Sequence, residues 1–137
     1  MNKRFEIKDD LTSDVFFEAY GKTLEELFEN AALALFSIIC EIDKVRAEKC
    51  FELELTATDT ESLLYDWLSR LLAESELREM FFSKFKVSIT KNKLKATVCG
   101  MQASPELGNV LVKAITNYKF GIKKEGDYYI ATVSCDI

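Results

Sequence analysis

The chain contains no histidine. That absence removes the commonest general base and the commonest transition-metal ligand. It also excludes Ser–His and Cys–His nucleophile pairs built within the chain. Proline occurs once and glycine five times in 137 residues, and no linker or low-complexity tract interrupts the pattern. No stretch approaches the roughly 20 apolar residues needed to span a bilayer. The start, Met1-Asn2-Lys3-Arg4-Phe5-Glu6, lacks the apolar run and small-residue cleavage site of a signal peptide. The expectation is a cytoplasmic protein with no membrane partner. Positive charge is in the minority, 18 Lys+Arg against 23 Asp+Glu, a net −5. A chain that grips phosphates wants the opposite balance, so strong direct nucleic-acid binding is not expected. No GxGxxG or P-loop is present, which removes the nucleotide-binding fingerprints. The four cysteines, Cys40, Cys50, Cys99 and Cys135, form no CxxC pair. They read as small buried hydrophobes in a reducing compartment rather than a closed zinc site.

What is present is core-forming. Apolar residues make up 48% of the chain and ten residues are Phe, enough for one domain over residues 1–137. Asp14 to Tyr20 alternates with period two and predicts a strand ended by Gly21. Thr23 and Glu26 form a capping box. Leu24, Leu27, Phe28, Ala31, Leu35, Ile38 and Ile39 then recur at helical spacing, predicting a helix over 23–40. Glu25, Glu26 and Glu29 suit the positive end of its dipole. "FELELTA" predicts a strand with one wet face. A second capping box, Thr58 with Glu61, opens a helix carrying the stripe Leu63, Leu64, Trp67, Leu68, Leu71 and Leu72. "FSKFKVSIT" and "KLKATVC" read as a hairpin turning at Lys91-Asn92. "MQASPELGNV" reads as a loop, and two last strands flank Glu125-Gly126-Asp127. The order β-α-β-α then β-hairpins predicts an α+β domain, two amphipathic helices packed on one face of a mixed, largely antiparallel sheet.

The candidate site uses both ends of the chain. Alternation puts Asp14 and Asp136 on the polar sides of their strands. If those strands are neighbours in suitable register, the carboxylates converge. The α-carboxylate of Ile137 is one residue on. Such hard oxygens suit Ca²⁺ or Mg²⁺ rather than zinc or copper. The plainer alternative is a turn aspartate and a solvated tail. Lys84, Lys86, Lys91, Lys93 and Lys95 on one hairpin read as solubilising residues that blunt a strand edge, with an anionic partner surface as the alternative.

Several segments together carry a family resemblance: "TSDVFFEAYGKTLEELFENAALALFSII", "ESLLYDWLSRLLAES", "FSKFKV", "VKAIT" and the final "DI". They resemble the archease family, in family order and over nearly the whole chain. The resemblance implies a small α+β cytoplasmic protein that is not itself an enzyme. It implies a partner, the RtcB-type tRNA-splicing RNA ligase, whose guanylylation and multiple turnover it promotes. It implies a metal site, assigned as calcium in some members, at Asp14, Asp136 and Ile137. The chain departs from the family pattern at Leu11 and at Tyr118, in the stretch Val112-Lys113-Ala114-Ile115-Thr116-Asn117-Tyr118, where histidines are usual. It departs again at Met101, where an acidic residue is usual, and in the shortened Ser104-Pro105-Glu106, while Lys113 is kept. The competing readings are a small carboxylate-metal hydrolase and a chaperone-like scaffold.

Overall fold

In the computed structural model, residues 3–9 and 14–137 are described, with Asp9 and Asp14 given by their backbone alone. Thr12, Ser13 and Leu11 lie outside the described residues. The elements run β1 (Phe5–Asp9), β2 (Asp14–Gly21), α1 (Leu24–Ile39), a short 3-10 turn (Ile42–Lys44), β3 (Lys49–Thr56), α2 (Thr60–Arg78), β4 (Met80–Thr90), β5 (Lys93–Gln102), β6 (Ala114–Glu125) and β7 (Tyr128–Asp136). The expected single sheet is two. One has the order β1-β2-β7-β6 and the other β3-β5-β4. Every pairing between these strands is antiparallel, so the expected mixed character is absent among them. Alternation shows which face of a strand is apolar but not which strand it pairs with, and β1 was not anticipated at all.

Helix α1 packs against β2 of the first sheet and β4 of the second, and α2 packs against β6, β4, β3 and α1. Each helix therefore touches both sheets. The core they share runs through Phe17, Leu27, Phe28, Phe36, Trp67, Leu68, Phe82 and Val133, all fully buried. Trp67 donates its indole N–H to the Phe28 carbonyl at 3.0 Å, which gives a buried donor a partner and fixes α2 against α1.

The helix starts differ in detail from their expected boxes. Thr23 caps α1 by accepting the Glu26 amide at 3.1 Å, but Glu26 accepts the amide of Lys22 rather than of the cap residue. The cap of α2 is Asp59, not Thr58; its carboxylate accepts the Ser62 amide at 2.8 Å. That bond holds the Asp59 carboxyl below the ordinary aspartate value. The aspartate outcompetes its threonine neighbour because its acceptor is charged. The turn Lys91-Asn92 is as expected, with φ of 49° and 61°, the left-handed pair a tight two-residue hairpin demands.

Edge strands are closed by helix carboxylates. Glu29 accepts the Val87 amide at 2.8 Å and Glu25 the Ile89 amide at 3.4 Å. These residues lie one turn apart on α1 and two apart on β4, so one helix face spans two outward amides of an edge strand. Glu61 does the same for Ile122 on β6 at 2.9 Å. The lysines Lys84, Lys86, Lys91, Lys93 and Lys95 are exposed. They do not guard the β4 edge, which α1 covers; Lys95 pairs with Glu54 across the strand at 3.6 Å.

The cysteines depart from the expectation. Cys50 and Cys99 are opposed residues on β3 and β5 and form a disulfide, with Cys50 exposed. Cys40 and Cys135 are buried as expected. Burial, and then neighbouring Glu41, push the Cys40 thiol up to about 12, so it stays a neutral hydrophobe. Among the described residues no helix is long and apolar enough to cross a membrane.

A candidate metal centre where the chain ends meet

Strands β2 and β7 pair over their whole length, with Asp14 opposite Asp136, Phe16 opposite Ser134 and Glu18 opposite Thr132. The second strand and the last are thus neighbours, in the register that the convergence of Asp14 and Asp136 required. Opposed residues of an antiparallel pair share a sheet face. On the far side of β7, β6 places Ala114 opposite Asp136 and Thr116 opposite Ser134. Ile137 is half-buried and packs against the core, as its alternation from Asp136 predicts.

The surroundings favour a cation. Among the described residues the half-buried Asp136 carboxylate has no ion-pair or hydrogen-bond partner, while its backbone carbonyl accepts the Lys113 amide at 2.8 Å. The hydroxyls of Thr116 and Ser134 are buried and make no hydrogen bond. They sit one row along the same face from Asp136. Buried polar atoms are normally satisfied by protein, water or an ion. All these donors are oxygens, which fits a hard divalent cation and not a soft one. Among the described residues no three His, Cys, Asp or Glu side chains gather into a ready-made cluster, and Asp14 is the member that would add to Asp136.

Among the described residues, the neighbouring carboxylates of this face, Glu6 and Glu18, are already engaged. Glu6 and Glu18 oppose each other on β1 and β2. Lys8 pairs with Glu18 at 3.3 Å and Lys3 with Glu6 at 3.2 Å. The Tyr20 hydroxyl donates to Glu18 at 2.9 Å and to Glu6 at 3.4 Å. Burial, then Glu18, raises the Tyr20 phenol well above its ordinary range, so it remains a donor. The Lys3 hydrogen bond holds Glu6 below the ordinary glutamate value. Of the carboxylates described on this face, Asp136 is left without a partner.

Sequence reasoning did not find Thr116 and Ser134. Their signal is weak: Ser134 follows Asp136's own alternation, but Thr116 stands at an irregularity in β6 that periodicity does not show. Four residues, Asn117 to Phe120, interrupt the register between Thr116 and Gly121. Lys119, at φ 51°, returns over the Phe16 ring at 5.6 Å. Tyr118, at a family histidine position, is exposed within this bulge. Met101 lies on β5, where its sulfur accepts the Arg46 amide. Ser104-Pro105-Glu106 forms a turn closed by the Leu107 amide to the Ser104 carbonyl at 3.1 Å.

The fold defines a small α+β protein whose first long strand pairs with its last, setting Asp14 opposite Asp136. Comparison with known proteins identifies its family. The model of the archease protein family matches residues 5–137. Protein archease of Methanosarcina acetivorans is 42% identical over 133 residues, covering 92% of this chain and 91% of that protein. Protein archease of Sulfurisphaera tokodaii is 36% identical, covering 92% and 94%. The solution structure of protein 1598 of Methanobacterium thermoautotrophicum superposes with a TM-score of 0.88 at 38% identity, covering 98% of this chain and 99% of that one. A crystal structure from Thermotoga maritima, described as an archease and possible chaperone, shares the fold with a TM-score of 0.71 at 20% identity. The chain belongs to the archease family.

Proposed function

We propose that this archease is a protein cofactor of an RtcB-type tRNA-splicing RNA ligase, promoting guanylylation of the ligase and so its multiple turnover in the cytoplasm. The observation that carries the reading is the opposition of Asp14 and Asp136, with the Asp136 carboxylate unpaired among the described residues. Asp14, Asp136 and the backbone oxygens of Ile137 would hold the cation, Ca²⁺ or alternatively Mg²⁺. When bound, such an ion neutralises the carboxylates and presents positive charge to phosphate oxygens. The chain's own residues do the placing. The β2–β7 ladder sets Asp14 opposite Asp136, and the Lys113 amide holds the Asp136 backbone. An activator of this kind acts by binding the reactive conformation of its partner preferentially. A chaperone-like scaffold is the second reading, favoured by the description of the Thermotoga maritima relative.

Two measurements separate these readings. Guanylylated ligase is quantified with the wild-type chain and with Asp14→Ala. The activator reading expects stimulation by the wild-type chain, and its metal role expects loss of that stimulation with Asp14→Ala; an unaffected Asp14→Ala variant sinks the carboxylate role, and a wild-type chain that does not stimulate sinks the activator reading. Melting of the chain alone with added Ca²⁺ should shift upward, as linkage requires for a native-state site. Asp136→Asn should abolish the shift. A scaffold without a metal role predicts no shift in either protein.

A further inference from the structure

A groove of about 830 Å³ runs along the C-terminal half of α2. Its other wall is the segment 108–113, and its floor includes Ile39, Phe81 and Ile115. The wall is pinned at both ends. The Asn109 amide bonds the Ile39 carbonyl at 2.8 Å, and the Lys113 amide bonds Asp136 at 2.8 Å. Between the pins, Leu111 is 76% exposed and Val110 40% exposed. Val110 and Leu111 together put exposed apolar surface on the lip of the groove, and a contiguous apolar patch of this kind marks an interaction surface.

The charge on the opposite wall runs against local preference. Glu76 and Glu79 line the groove at the C-terminal end of α2, where outward carbonyls make negative charge unfavourable. The one basic residue of that last turn, Arg78, is committed to Glu74 at 2.8 Å. Among the described residues neither Glu76 nor Glu79 has an ion-pair partner. Glu79 also occupies the left-handed cap position, with φ 55° and ψ 48°, where glycine or asparagine normally ends a helix. A side chain kept against both helix-end rules points to a use outside the fold.

We propose that this groove docks a segment of the partner ligase whose apolar side chains fill it beside Leu111 and whose lysine or arginine meets Glu76 and Glu79. The groove reaches Lys113 and Ala114, and Ala114 opposes Asp136. A segment seated there leads the ligase onto the Asp14–Asp136 end of the sheet. The inference rests on the ligase reading above and adds the surface that makes the contact.

The test measures ligase affinity for the full chain by titration calorimetry, alongside melting temperature. Leu111→Asp, at an exposed position, should weaken Kd by about tenfold or more, the loss of one central apolar anchor. Glu79→Gly should raise the melting temperature by removing the left-handed strain, yet weaken binding about two- to fivefold, as for an exposed ion pair. Unchanged affinity in both variants overturns the groove. So does a wild-type dimer that Leu111→Asp splits in sedimentation velocity, which would make a second copy the occupant. A wild-type chain that does not bind the ligase overturns this inference and the functional reading together. Asp14→Ala separates the two: if it still stimulates guanylylation while Leu111→Asp weakens binding, the metal role fails and the groove stands.

Discussion

Single residues decide how closely backbone meets backbone in this fold. At Gly21, where β2 turns into α1, a Cβ would stand 2.4 Å from the Leu27 amide nitrogen and 2.9 Å from the Thr23 carbonyl oxygen. Both neighbours are main chain of a capped helix and cannot swing aside. Gly21→Ala should therefore destabilise the protein by about 1–3 kcal/mol, the cost of overpacking, read as a lower urea midpoint with unchanged slope. Glu74 is the residue-scale lever on pH. It is nearly buried between Arg70 and Arg78, each 2.8 Å away. The Arg70 hydrogen bond, then that of Arg78, holds its carboxyl below the ordinary value of 4.5. The unfolded chain binds that proton more readily, so the stabilisation is present above pH 4.5 and fades as pH falls through the lower, folded-state value. Glu74→Gln should be less stable than wild type at pH 7 and lose less on acidification. Parallel stability curves for the two proteins would show that the triad does not set the acid response.

At the scale of elements, helices do two jobs, filling the core and closing sheet edges. Removing the Glu29 carboxylate leaves the Val87 amide unpartnered. Glu29→Ala should cost about 1–3 kcal/mol and accelerate hydrogen exchange at Val87, while Ile89, held by Glu25, and the β5 amides change less. Uniform acceleration through the sheet would show that the carboxylate supports the fold only globally. This is also where sequence reading reached its limit. The stripe from Leu63 to Leu71 and the turn at Lys91-Asn92 were legible because periodicity and left-handed turn chemistry are local. The acidic first turn of α1 was legible as composition, but its use was not: the helix dipole accounts for negative charge there, and only the packed β4 edge shows that Glu25 and Glu29 are acceptors. Two sheets were read as one because period two carries no partner. Cys50 and Cys99 lie 49 residues apart and meet only through the β3–β5 register. The Asp14–Asp136 pairing was legible because both residues flank alternating strands, and the family resemblance supplied the pairing. The groove, built by a non-periodic segment against a helix end, left no such trace.

On the scale of the whole molecule, the disulfide ties an edge strand to the centre of the smaller sheet. Closing a loop of this length restricts the unfolded chain and should contribute about 2–4 kcal/mol. Reduction should lower the melting temperature by several degrees, and Cys50→Ser should behave as the reduced wild type does; no change on reduction would show that the bond is without consequence for stability. The larger sheet has a different long-range dependence. Its order, β1-β2-β7-β6, sets the last strand of the chain in the interior, between a strand from the beginning and one synthesised just before it. During synthesis, β1 and β2 emerge first and have only each other, and a two-stranded ribbon is at best marginally stable. Domains fold as units once their parts are available, so this sheet waits on residues 128–136 leaving the ribosome. A nascent chain arrested at Gly126 should accordingly be protease-sensitive while one extended past Ile137 by a tunnel-length spacer is resistant. Asp14 and Asp136, opposed across β2 and β7, thus come together only once residues 128–136 are made, and translation itself sets the earliest moment at which the proposed cation site can form.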